Sequence, residues 1–231
     1  MIMVIITVVV ATIVYPVWAE GHLGPDGYYH FYARGYWYFS ININYQTLGV
    51  SGRITVYNNK IKGTGICIFE CVNTMFSDGS WIQIGYEKNW EGNMELKYYY
   101  EYYIVRATPQ PILTPFKSAS AGEVPSFNIY RSGSLNNGWV WKMIKDGSLV
   151  QQLTLPSFYA SGKAEAFFES VDTTKEMSYN QGTGRFTELK YYYGGVWSSW
   201  DAIKFIVDSP YHVKPLDANK FETWGDYDAD P

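Results

Sequence analysis

Ser80-Trp-Ile-Gln-Ile-Gly-Tyr86 and Lys163-Ala-Glu-Ala-Phe-Phe-Glu-Ser170 decide how the rest of the chain is read. Successive side chains of a β-strand point to opposite faces, so residues two apart share a face. In the first stretch that rule sets Trp81, Gln83 and Gly85 against Ile82, Ile84 and Tyr86. In the second it sets Glu165, Phe167 and Glu169 against Ala164, Ala166 and Phe168. Each stretch has one apolar face for a core and one face carrying a few polar groups among aromatics. Two such strands in one sheet make an open, aromatic-lined surface holding an amide and one or two carboxylates.

The same alternation extends outward. In the run from Met94 to Arg106, Lys97, Tyr99, Glu101 and Tyr103 share one face, with Leu96, Tyr98, Tyr100, Tyr102 and Ile104 on the other. Tyr36 to Tyr45, Val50 to Tyr57 and Lys60 to Val72 are rich in β-branched and aromatic residues, as strands are. Asn58-Asn59 and Ser77-Asp78-Gly79 mark turns. Trp139 to Lys145, Asp146-Gly147 and Ser148 to Leu155 read as a hairpin closed by a two-residue Asp-Gly turn. Phe186 to Tyr193 and Ala202 to Val207 are the last clear strands. Thr108 to Pro115 holds three prolines and reads as a loop across one end, since proline cannot donate to a sheet ladder. Residues 211–231 read as a loosely docked acidic tail. Its Asp226-Tyr-Asp-Ala-Asp230 run lacks the glycine and distal glutamate of a calcium loop.

No sustained helical period is visible. Roughly ten to twelve strands in one domain predict an all-β fold over residues 20–210, a two-sheet antiparallel β-sandwich. Aromatic residues at 19% against charged residues at 17% favour such a strand-rich domain and exclude disorder. A net charge of −4 leaves no electrostatic footprint for nucleic acid or an anionic membrane surface. Met1 to Ala19 carries no charge and ends Val17-Trp18-Ala19, which predicts a secretory signal peptide over 1–19 and an extracellular protein. The alternative is an uncleaved N-terminal anchor, and only in that case is a membrane partner expected. Cys67 and Cys71, four apart on one strand, are expected as buried thiols beside Phe69, since about 13 Å exceeds disulfide reach. His22, His30 and His212 have no ligand-like spacing, so no metal and no cofactor are expected.

Trp81-Ile-Gln-Ile-Gly85, Tyr100-Glu101-Tyr102 and Ala164-Glu-Ala-Phe-Phe-Glu169 together resemble landmarks of the glutamic peptidases, the eqolisin-like family. That family has a Leu-Gln-x-Gly strand, a Trp-Tyr-Glu-Trp strand and, well downstream, an Ala-Glu-Trp-Ile-x-Glu strand. The resemblance covers roughly Ile54 to Val207 and implies a concanavalin-like jelly roll with acid endopeptidase activity. It implies Gln83 and Glu165 as the catalytic pair. Trp81, Tyr99, Glu101, Phe167 and Glu169, on the faces set out above, are expected to bind the substrate, a polypeptide on this reading. Two departures stand out. The family's Trp-x-Gly-x-Asp stretch is met by Cys67-Ile-Phe-Glu-Cys71, with an acid at Glu70, and the Trp after its catalytic Glu is Ala166.

The chemistry stands without the family. A carboxylate beside a water acts as general base and later protonates the leaving amine. A neutral amide donates to the developing oxyanion. Two other readings fit the same face. Trp81, Tyr99 and Tyr103 would stack sugar rings in a carbohydrate-binding, lectin-like sandwich with a polysaccharide partner. Glu165 and Glu169 would serve as the carboxylate pair of a laminarinase-like glycoside hydrolase, although Phe167 holds the place of that family's intervening Asp.

Overall fold

The computed structural model describes residues 22–37, 46–61, 67–172, 183–208 and 211–225. In chain order its strands are β1 (His22–Leu23), β2 (Tyr29–Trp37), β3 (Gly49–Ile54), β4 (Cys67–Met75), β5 (Trp81–Lys88), β6 (Leu96–Tyr103), β7 (Ile112–Ser118) and β8 (Ser126–Leu135). There follow β9 (Gly138–Lys145), β10 (Ser148–Pro156), β11 (Lys163–Asp172), β12 (Thr183–Tyr193), β13 (Val196–Ser199), β14 (Ile203–Val207), β15 (Tyr211–Asp217) and β16 (Lys220–Gly225). No helix occurs among the described residues. The expected signal segment 1–19, the far part of the Tyr36–Tyr45 strand and the final acidic run lie outside the described residues.

Two antiparallel sheets of eight strands form a sandwich. The first runs β1-β2-β11-β4-β5-β6-β7, with β14 also pairing β2. The second runs β10-β9-β8-β3-β12-β16-β15, with β13 also pairing β12. Between them lies one core, to which Ile82, Ile84, Val72 and Phe168 contribute from the first sheet and Ile129, Trp141, Phe186 and Phe221 from the second. Its apolar faces are those that period-two alternation assigned to Ile82, Ile84, Tyr86, Ala164, Ala166 and Phe168. Strands β4 and β11 sit mid-sheet and are buried along almost their whole length. The outer face of the first sheet must therefore be covered as well. A second apolar cluster of Cys67, Phe69, Cys71, Tyr99, Phe167 and Val171 covers it. Both thiols are buried and unbridged.

Local sequence explains the joints. Asp146 and Gly147 both adopt positive φ, 48° and 79°, and close the β9–β10 hairpin as its two central residues. Two expectations need correction. The proline-rich stretch is a loop only as far as Pro111, for Pro115 lies within β7. That strand is the sheet's last, and a register shift opposite Pro115 removes the need for its missing donor. Nor is the chain beyond Pro210 a docked tail up to Gly225. β15 and β16 pair with each other, and β16 continues onto β12, burying Phe221 fully. The short alternating run Phe221-Glu-Thr-Trp-Gly225 was hidden by its polar neighbours.

Candidate functional site

The antiparallel register lines up side chains across the outer face of the first sheet. One row runs Tyr36 (β2), Glu165 (β11), Asn73 (β4), Gln83 (β5), Glu101 (β6) and Leu113 (β7). The next row places Arg34, Phe167, Cys71, Gly85 and Tyr99 side by side. Gly85 is required there: a Cβ would stand 1.8 Å from the Glu70 carbonyl oxygen. A third row brings Tyr32, Glu169 and Phe69 together. Gln83 and Glu165 thus share a row with one strand between them, about 10 Å from backbone to backbone.

A groove of about 300 Å³ opens on this face, and Trp81, Gln83, Glu101, Phe167 and Glu169 all line it. At one end Trp81 and Tyr103 pack with ring centroids 4.8 Å apart. Two of the residues expected at the site do not line the groove. Tyr99 is fully buried, packed on Phe69 at 5.1 Å, and accepts a hydrogen bond from Gln83 Nε2 at 3.2 Å. Glu165 is also fully buried. Lys163 Nζ lies 2.6 Å from its Oε1, an ion pair and not an aligned hydrogen bond. Its Oε2 accepts from Asn73 Nδ2 at 2.8 Å, with Arg34 Nη1 at 3.5 Å. A buried carboxylate needs such partners, because isolating the charge is costly. Glu70, the acid of the Cys67–Cys71 stretch, turns away into the core between the sheets, where Tyr86 and Asn59 donate to it.

The carboxyl nearest Gln83 is Glu101, whose Oε2 accepts from Nε2 at 2.5 Å. Burial, reinforced by the charge of Glu169, pushes Glu101 up to about 8, so it is neutral in acid. Glu169 binds His30 Nδ1 at 2.5 Å, and Asp26 holds the other ring nitrogen at 2.9 Å. Burial alone would lower the His30 pKa. The two carboxylates outweigh it and raise the ring to about 10, so both nitrogens carry protons and donate. His30, Asp26, Arg34 and Asn73 also line the groove and were missed from sequence. The alternation His30, Tyr32, Arg34, Tyr36 was visible as one strand face, but nothing local says that this face adjoins Glu165. No group of three or more His, Cys, Asp or Glu side chains able to hold a metal occurs among the described residues.

No protein-family profile matches the sequence, and no curated protein matches it. The fold itself is similar to solved structures. A complex of Scytalido-glutamic peptidase with a transition state analog inhibitor is 12% identical, matched over 85% of this chain and 97% of that one, with a TM-score of 0.54. A complex of the same peptidase with a peptide-based analog gives 12%, the same coverage and 0.53. SCP-B, a member of the Eqolisin family of peptidases bound to the tripeptide Ala-Ile-His, gives 10% identity, 85% and 97% coverage and 0.50. The resemblance read from three short motifs thus extends to the sandwich as a whole. At these identities the likeness is one of fold.

Proposed function

We propose that the protein is an acid endopeptidase that hydrolyses peptide bonds in the outer groove of its first sheet. The observation that carries this reading is the cross-strand row in which Asn73, beside Gln83 in the lining of an aromatic-walled groove, holds the carboxylate of Glu165 buried behind it. Glu165, fully buried at rest, is uncovered to the groove in the substrate-bound state, where it takes a proton from the attacking water and returns it to the leaving amine. Asn73 keeps that carboxylate aimed. Arg34 stands 3.5 Å from the same carboxylate without an aligned bond. Gln83 donates to the oxyanion. At rest it spends both N–H groups, on Tyr99 and Glu101, so one of these bonds is exchanged for the oxyanion.

Casein digestion at acidic pH by purified variants tests these roles. Loss of one oxyanion donor costs about 10²–10³ in turnover, so Gln83→Ala should leave little activity. Glu165→Gln should be at least as damaging. Glu169→Gln should matter little to a peptidase but would abolish a glycosidase that used Glu165 and Glu169. Unchanged casein cleavage in both Gln83→Ala and Glu165→Gln would refute the assignment.

A further inference from the structure

We propose that Arg34 gives the groove its specificity, receiving a carboxylate of the bound chain, so that an Asp or Glu side chain is favoured in the subsite over Phe167. This rests on the peptidase reading for its substrate but not for its chemistry.

The guanidinium packs against two rings. Its central carbon lies 4.2 Å from the Tyr32 ring centroid and 4.9 Å from that of Phe167, and the rings stand at 89° to each other. The side chain lines the groove yet is only 15% exposed. A guanidinium has five donors in a fixed fork. Among the described residues Arg34 makes one ion contact, at 3.5 Å, and no hydrogen bond. Charge balance for Glu165 does not account for such placement, because Lys163 already sits closer, at 2.6 Å. A largely buried cation that lines a groove, and whose donors make no hydrogen bond among the described residues, fits a two-oxygen anion.

The neighbouring charges leave room for one. On β11, Glu165 is held by Lys163 and Asn73, and Glu169 by His30 at 2.5 Å. On β2, His30 shares its second proton with Asp26, and Tyr32 stays a neutral phenol because burial raises its pKa. On β4, burial likewise keeps the Cys71 thiol protonated. On β6, Glu101 is neutral below about 8. Beside β14, which pairs β2 at Arg34, Asp208 accepts from the Tyr32 backbone N–H at 2.9 Å and meets His22 at 3.3 Å. Among the described residues no unpaired anion therefore faces Arg34 in mildly acidic solution.

The test uses pairs of labelled peptides that differ only by Glu or Gln at successive positions, with both cleavage and binding measured for each pair. At pH 5.5 one position should favour Glu by at least about tenfold, as expected for hydrogen bonds to a charged group. That preference should vanish at pH 3, where the peptide carboxyl is protonated, since an ordinary Glu titrates near about 4.3. Arg34→Met should remove it at pH 5.5, and Arg34→Lys should keep part of it there. If the wild type cleaves nothing but still binds the Glu peptide more tightly in an Arg34-dependent way, the peptidase reading fails and the Arg34 assignment stands. Equal handling of Glu and Gln at every position by the wild type overturns the assignment, however the variants fold. So does a preference that survives in Arg34→Met.

Discussion

Gln83 donates one amide hydrogen to Glu101 and the other to Tyr99 in the resting site. What Glu101 does with its own proton therefore sets how freely Gln83 can turn to a substrate. Neutral Glu101 accepts that bond weakly, whereas ionised Glu101 accepts it as a charge-assisted bond and withholds it. Because burial raises Glu101 to about 8, activity should fall as pH rises through that value. Glu101→Gln, which mimics the neutral form, should stay within a few-fold of wild type at pH 4–5 and lose the alkaline limb, as read from initial rates between pH 4 and 9. At this scale the sequence was informative about faces and silent about partners. Period two put Gln83, Glu165, Trp81, Glu101, Phe167 and Glu169 on one face. Lys163, two residues from Glu165 on the same strand, is within reach of that alternation, but the capping by Asn73 and Arg34 depends on pairings between strands far apart in the chain, which it does not encode.

Strand β4 carries the consequences at the scale of the element. It is flanked by β11 and β5, it supplies Asn73 to the groove and Glu70 to the core, and Gly85 of β5 lies against its backbone. Gly85→Ala would force a Cβ to 1.8 Å from the Glu70 carbonyl oxygen, which backbone cannot yield cheaply. Overpacking typically costs about 1–3 kcal/mol, and a clash with main chain lies at the top of that range or beyond. Urea denaturation should show that loss, while Gly79→Ala, in a turn where a Cβ meets nothing within 4 Å, should cost less despite its φ of 88°. Elements with local signals were legible: the Asp146-Gly147 hairpin, the Trp81 strand, the Glu165 strand. β7 and β16 were not. Proline reads against a strand unless the strand is known to be an edge, and edges are decided by the topology of the whole sheet.

The molecule as a whole keeps a carboxyl where only a neutral one fits. Glu70 is fully buried between the sheets, and among the described residues only the neutral donors Tyr86 and Asn59 meet it. Burial pushes it well above the usual carboxylate range, and Glu87, also chiefly through burial, rises to about 7. For groups raised in this way the folded state holds protons that the unfolded chain releases. Their stabilisation is complete below the ordinary Glu value of about 4.3 and is lost as pH rises through the folded values. Thermal unfolding should therefore occur at a higher temperature at pH 4 than at pH 8. Glu70→Gln should flatten that dependence, each 1 kcal/mol corresponding to about 2–4 °C in a chain of this size. Greater stability at pH 4 than at pH 8 would agree with a groove proposed to work in acid. The direct measurement is mass-spectrometric detection of new peptide termini from unfolded casein between pH 2 and 8, with EDTA and a thiol blocker present throughout. The account predicts new termini at acidic pH that disappear toward pH 8 and are absent from Gln83→Ala. No new termini from a folded wild-type protein at any pH would contradict it.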